Sequence, residues 1–123
     1  MNSRALILFA HGARDPRWAE PFLRLQHLIA AQLPEVEVAL AYLELMQPSL
    51  PDLVDRFVQG GCRDVTVVPV FLGRGGHVAR DLPLLAERLR LQYPDVNLRV
   101  ASAVGEDAEV LAAIARYCIG SLA

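Results

Sequence analysis

The chain reads as a single α/β domain over residues 1–123: a doubly wound, four-stranded parallel sheet with helices on both faces. Three observations predict it. Apolar runs alternate with segments of helical periodicity four times in succession. The apolar runs lack in–out alternation, so they are covered on both sides, as parallel strands are. The connections are short, which favours right-handed crossovers between packed layers. The expected strand order is 2-1-3-4. That order sets strands 1 and 3 side by side and sends their following helices to opposite faces. A crevice then opens at the carboxyl ends of those two strands, where ligands bind in such sheets.

The first strand is 5–10, Ala5-Leu6-Ile7-Leu8-Phe9-Ala10, broken by Gly12 and Pro16. The first helix runs over 16–33. Pro16 suits its first turn, and Trp18, Phe22, Leu25, Ile29 and Leu33 recur at helical spacing. Pro34 stops it. The second strand is 36–43 and runs on into Glu44. Ser49-Leu50-Pro51-Asp52 starts the second helix with a serine cap, a first-turn proline and an acid three residues on. Leu50, Leu53, Val54, Phe57 and Val58 form its stripe, and Gly60-Gly61 supplies a left-handed end.

The third strand is 64–72, nearly all apolar and so central. Pro69 cannot donate to a ladder, so a distortion or an amide position facing no neighbour is expected there. Gly73-Arg74-Gly75-Gly76-His77 reads as a flexible loop. The third helix is 79–93, with Leu82, Leu85, Ala86 and Leu89 buried, and the fourth strand is 96–100. The last helix begins near Glu106 or Asp107, whose acids suit the positive end of a helix dipole. Its inner face is expected to be Val110, Leu111, Ile114 and Cys118.

At 54% hydrophobic and 21% charged, the chain can build a substantial core. A net charge of −2 does not point to nucleic acid or an anionic membrane as a partner. All 12 basic residues are arginine, a residue suited to bidentate carboxylate recognition. Cys62 and Cys118 stand in no metal or redox spacing, so a reducing compartment fits. The first residues carry no secretory pattern and no segment is long enough to span a bilayer, so a cytoplasmic location is expected.

The chemistry gathers at one edge. His11 follows the first strand and His77 the third, each beside glycine, while Glu44 ends the second. Two imidazoles and a carboxylate form a borderline-hard ligand set suited to Co²⁺, Fe²⁺, Ni²⁺ or Zn²⁺. No fourth strong ligand is in view, so such a site would be open. The ordinary alternatives are a strand-end histidine bonding a backbone carbonyl and an exposed or arginine-paired Glu44. His27 lies off the apolar stripe of its helix and reads as a surface residue. Arg14, Arg17, Arg74 and Arg80 share the edge and suggest an anionic ligand with several carboxylates or phosphates. Gly73, Gly75 and Gly76 fit mobility or close approach to a flat ligand. No Walker pattern follows them, and Gly12-Ala13-Arg14 is no dinucleotide fingerprint. A receiver domain would need an aspartate after the third strand, and a flavodoxin-like protein a Ser/Thr-rich first loop. A histidine phosphatase would need arginine before His11-Gly12, where Ala10 stands.

Three segments together resemble the sirohydrochlorin cobaltochelatase family, the class II tetrapyrrole chelatases. They are Leu8-Phe9-Ala10-His11-Gly12-Ala13-Arg14-Asp15-Pro16, Tyr42-Leu43-Glu44-Leu45-Met46-Gln47-Pro48-Ser49-Leu50, and the stretch from Val68 through Gly73-Arg74-Gly75-Gly76-His77 to Pro83. The resemblance implies a chelatase-like fold in the short form of the family, pairing as a homodimer around a macrocycle-sized cavity. It implies insertion of cobalt, iron or nickel into sirohydrochlorin, with no organic cofactor. His11 matches the proton acceptor and metal ligand, His77 the second metal-binding histidine, and Glu44 the carboxylate of the second-strand motif. Arg14, Arg74, Gly75, Gly76 and Arg80 would then face a macrocycle rich in carboxylates. Ala13 stands where the family's His-Gly-Ser-Arg carries serine, and Arg74 where relatives more often carry an apolar residue. Besides an enzyme, two other readings remain: a tetrapyrrole or metal carrier, and a hydrolase using His11 against a phosphate ester.

Overall fold

A computed structural model describes residues 3–73 and 75–122, with His77 through its backbone only. Four strands, β1 (Arg4–Ala10), β2 (Glu37–Tyr42), β3 (Asp64–Pro69) and β4 (Asn97–Val100), form one parallel sheet in the order β2-β1-β3-β4. The helices are α1 (Glu20–Gln32), α2 (Leu50–Gln59), α3 (Gly76–Gln92) and α4 (Ala108–Gly120). Short 3₁₀ turns at Pro16–Ala19 and Val104–Glu106 precede α1 and α4. The order expected from the alternation is the one observed.

Strand periodicity divides β1 between two cores. Ala5, Ile7 and Phe9 face α2 and α3, joined by Ala41, Val65, Val67 and Leu98 from the other strands. Leu8 and Ala10 face the opposite way, with Leu40 and Tyr42, and are covered by Trp18, Phe22, Leu25 and Ile29. The first core is the larger. Leu50, Leu53, Val54 and Phe57 of α2 and Leu82, Ala86 and Leu89 of α3 are buried. Fully burying each such side chain contributes roughly 1.5–3 kcal/mol.

Local signals act as their chemistry requires. Ser49 Oγ accepts the Asp52 amide at 3.3 Å, capping α2, and Gly61 at φ +99° turns the chain after it. The Val70 amide donates to Phe9 O at 2.8 Å, so the neighbouring Pro69 nitrogen is directed away from β1, towards β4. The β3–β4 ladder ends at Val67↔Val100, and Pro69 therefore removes no ladder bond.

Three expectations need correction. β3 ends at Pro69 rather than at 72. Gly76 and His77 belong to α3, which starts three residues earlier than its apolar stripe suggests, because Gly75 in extended conformation caps it. α4 buries none of its residues, so Val110, Leu111, Ile114 and Cys118 have no inner side within this chain. His27 is exposed, as expected. No helix is long and apolar enough to cross a membrane among the described residues.

Candidate functional site

The carboxyl ends of β1 and β2 are bound together beyond their last ladder pair, Ala10↔Tyr42. The Leu43 amide donates to Ala10 O at 2.9 Å and the Glu44 amide to His11 O at 3.1 Å. This backbone pairing carries two side chains outward together. His11 Nε2 lies 3.1 Å from Glu44 Oε1, and both side chains are about half exposed, at 50% and 56%. The tautomer that satisfies the contact carries hydrogen on Nε2 and leaves Nδ1 a lone pair.

Glycine makes this approach possible. Gly12 has φ +95°, and a Cβ there would overlap the Glu44 carbonyl oxygen. On the other side Leu45 takes φ +65°, an uncommon conformation for a branched side chain. The Met46 amide donates to Glu44 O at 2.8 Å and the Tyr42 amide to Pro48 O at 2.9 Å, closing the loop on itself. Burial pushes the Tyr42 phenol above its ordinary range.

β3 supplies the third wall. Phe71 follows it and stands edge-on to His11, with centroids 6.3 Å apart and planes at 80°. Phe71 also packs edge-on against Phe9 at 5.9 Å. The imidazole is thus set between a carboxylate from the β2 loop and an aromatic ring from the β3 loop. A cleft of about 290 Å³ is lined by Phe9 and Leu43 from the sheet side and by Val78, Asp81, Leu82, Leu85 and Arg88 of α3. That volume lies at the low end for small-molecule pockets.

The expected site residues separate into three groups. His11 and Glu44 meet. Arg14 and Arg80 are exposed, on the β1 loop and on α3; Gly75 caps α3 and Gly76 begins it. The α3 amino end lies at this edge and favours an anion. Arg74 and the His77 side chain lie outside the described residues; the His77 backbone is the second residue of α3. Among the described residues no three His, Cys, Asp or Glu side chains gather to hold a metal. Arg17 is paired with Asp15 in this arrangement. Its guanidinium and amide grip Asp15, with Nη2–Oδ2 at 2.7 Å, and together hold that carboxyl below its ordinary range. Phe71 and the Gly12–Glu44 interlock were missed in the sequence. The aromatic at the end of β3 was visible, but it reads equally as core.

The CbiX family matches residues 5–118. The chain belongs to the CbiX family. A CbiX relative from Methanocaldococcus jannaschii, named sirohydrochlorin cobaltochelatase, is 36% identical over 83 residues, covering 66% of this chain and 57% of that protein. One of the same name from Methanococcus maripaludis is 32% identical over 79 residues, 64% of this chain and 55% of its own. The chain thus spans little more than half the length of these curated relatives. A CbiX protein from Marinobacter aquaeolei VT8, named for cobalamin (vitamin B12) biosynthesis, is 35% identical. Its crystal structure superimposes at a TM-score of 0.83, over 97% of each chain. The cobalt complex of the sirohydrochlorin chelatase SirB from Bacillus subtilis subspecies spizizenii shares the fold at a TM-score of 0.78 and 22% identity. There this chain spans 51% of the longer protein.

Proposed function

We propose that this chain inserts a divalent metal into sirohydrochlorin, with cobalt as the first candidate and iron and nickel as alternatives. The observation that carries the reading is the His11–Glu44 pair at the carboxyl edge of β1, in a chain of the CbiX family. Cobaltochelatase is the name of its M. jannaschii relative.

The chemistry asks two things of such a site. Two pyrrole N–H protons must leave, and the metal must shed water. His11 is the proton acceptor and a transient metal ligand. Glu44 holds its ring and balances the charge as a proton arrives. His77 is the second ligand, brought to the same edge by α3. An open, weakly held metal suits the task, because the metal must pass to the macrocycle. Arg14, Arg74 and Arg80, with Gly75 and Gly76, border the carboxylate-bearing rim of the tetrapyrrole. No organic cofactor is required. The whole of 1–123 acts as one domain, in the cytoplasm, as a homodimer whose two walls enclose the ring.

One residue favours a second reading, a tetrapyrrole or metal carrier. Ala13 lacks the hydroxyl that serine would bring to the loop holding His11. Anaerobic incubation with sirohydrochlorin and Co²⁺, followed by absorbance, separates the two. The chelatase reading predicts many equivalents of product per protein. A shift that stops at one equivalent would replace it with the carrier.

A further inference from the structure

The His11 ring has more freedom than its hydrogen bond removes. Its side chain is half exposed, and the outer torsion of a histidine is intrinsically broad. Nε2 lies close to the line of the Cβ–Cγ bond. The contact with Glu44 at 3.1 Å therefore fixes the reach of the ring but little of its rotation. Rotation decides where the lone pair on Nδ1 points. Among the described residues the imidazole has one other directed contact, the Phe71 ring, at 6.3 Å and 80°.

Phe71 is itself firmly held. It is only 9% exposed and packs edge-on against Phe9 at 5.9 Å and 76°. Both separations and both angles are those aromatic pairs favour. Its backbone is tied from the far side. The Gly105 amide, in the turn between β4 and α4, donates to Phe71 O at 2.9 Å. A Cβ on Gly105 would overlap the Leu72 carbonyl, so this close approach requires glycine.

The carboxyl edge is thus stitched in two pairs. Gly12 lets the chain after β1 close on Glu44, and Gly105 lets the turn after β4 close on Phe71 and Leu72. The His11–Phe71 contact joins the two pairs. A side chain that only filled space would face buried neighbours alone, whereas Phe71 reaches from buried Phe9 to a half-exposed imidazole.

We infer that Phe71 is a positioning residue: it sets the plane of the His11 imidazole, and so the aim of its free nitrogen, while Gly105 holds Phe71 in place to do so. A hydrogen bond from one side and an aromatic plane from another together leave the ring a single orientation. The consequence for the reaction rests on the metal-insertion reading above; the restraint on the ring does not.

Two measurements on the full chain test this. The first is the NMR order parameter of the His11 Cδ2–H bond, which swings with the ring plane; its signal is the one absent in His11→Ala. It should be rigid in wild type and in Phe71→Tyr, and fall to the flexible range in Phe71→Leu. Phe71→Met repeats the comparison with a longer side chain if Phe71→Leu does not fold. The second is cobalt insertion. Phe71→Leu should lower kcat by about 10–100-fold, as lost outer support of a metal-binding histidine does, with KM little changed. Phe71→Tyr should stay near wild type. Gly105→Ala should loosen the ring and slow turnover in the same way, and Gly105→Ala/Phe71→Leu should be no slower than Phe71→Leu alone. A ring that stays rigid in Phe71→Leu, or a loosened ring with unchanged kcat, would overturn the inference. If wild type inserts no cobalt, the metal-insertion reading fails and the order parameters alone decide whether Phe71 sets the ring.

Discussion

Both ends of the sheet carry a polar side-chain pair across neighbouring strands, and the backbone treats the two differently. At the amino end, Arg99 Nη2 donates to Asp64 Oδ1 and to Thr66 Oγ1, each at 3.2 Å. The register there is regular, with Asp64 opposite Asn97 and Thr66 opposite Arg99. Ordinary strands bring that pair together without any unusual residue. At the carboxyl end, His11 and Glu44 meet past the last ladder pair, at 3.1 Å, in backbone that needs Gly12 at φ +95° and Leu45 at φ +65°. A residue held in such a conformation costs on the order of 1–3 kcal/mol and persists where the surroundings demand it. The difference is one of construction: irregular backbone surrounds the second pair and not the first, which is what marks the second as the candidate site.

Substitutions can sharpen or break that contrast. The largest effect is expected for His11→Ala, which should lower cobalt insertion by ~10²–10⁴-fold, the usual worth of a positioned acid–base group. Its melting temperature should stay at the wild-type value, since the side chain is half exposed; initial rates and a thermal melt check both. Glu44→Gln comes next. It keeps a hydrogen bond to the ring but removes the charge, and should reduce the rate by about 10–100-fold, as lost support of a metal-binding histidine typically does. Gly12→Ala should destabilise by about 1–3 kcal/mol, read as a fall in melting temperature, and should slow turnover by displacing the Glu44 loop. The smallest effect belongs to the other end. Arg99→Ala should cost at most about 1 kcal/mol, as exposed pairs do, and leave the insertion rate unchanged. A large loss of activity in Arg99→Ala, or none in Glu44→Gln, would erase the distinction drawn between the two ends.

Much of this was legible in the chain. Continuous apolar runs specified buried parallel strands, and Ser49 and Gly61 marked the ends of α2 by well-understood local chemistry. At Pro69 a distortion or an amide with no neighbour was expected, and the structure takes the second. The histidine and the carboxylate were placed on the right edge by strand order alone. What was not legible depends on distances between segments remote in sequence. Nothing in Gly12 says that Glu44 will pass against it, and nothing in Phe71 distinguishes a core ring from one that flanks an imidazole. α4 shows the other limit: periodicity states that a helix has an apolar face, but not whether its own chain covers it. The start of α3 escaped notice because Gly76 and His77 lack the apolar stripe that marks the rest.

The claim at the centre of this account is that His11 and Glu44 act as one unit in metal insertion. A double-mutant cycle on the insertion rate tests it most directly, comparing His11→Ala, Glu44→Gln and the double variant with wild type at equal melting temperature. If the carboxylate acts through the imidazole, the double variant is no slower than His11→Ala alone. Losses that simply multiply would mean two independent groups and contradict the pair.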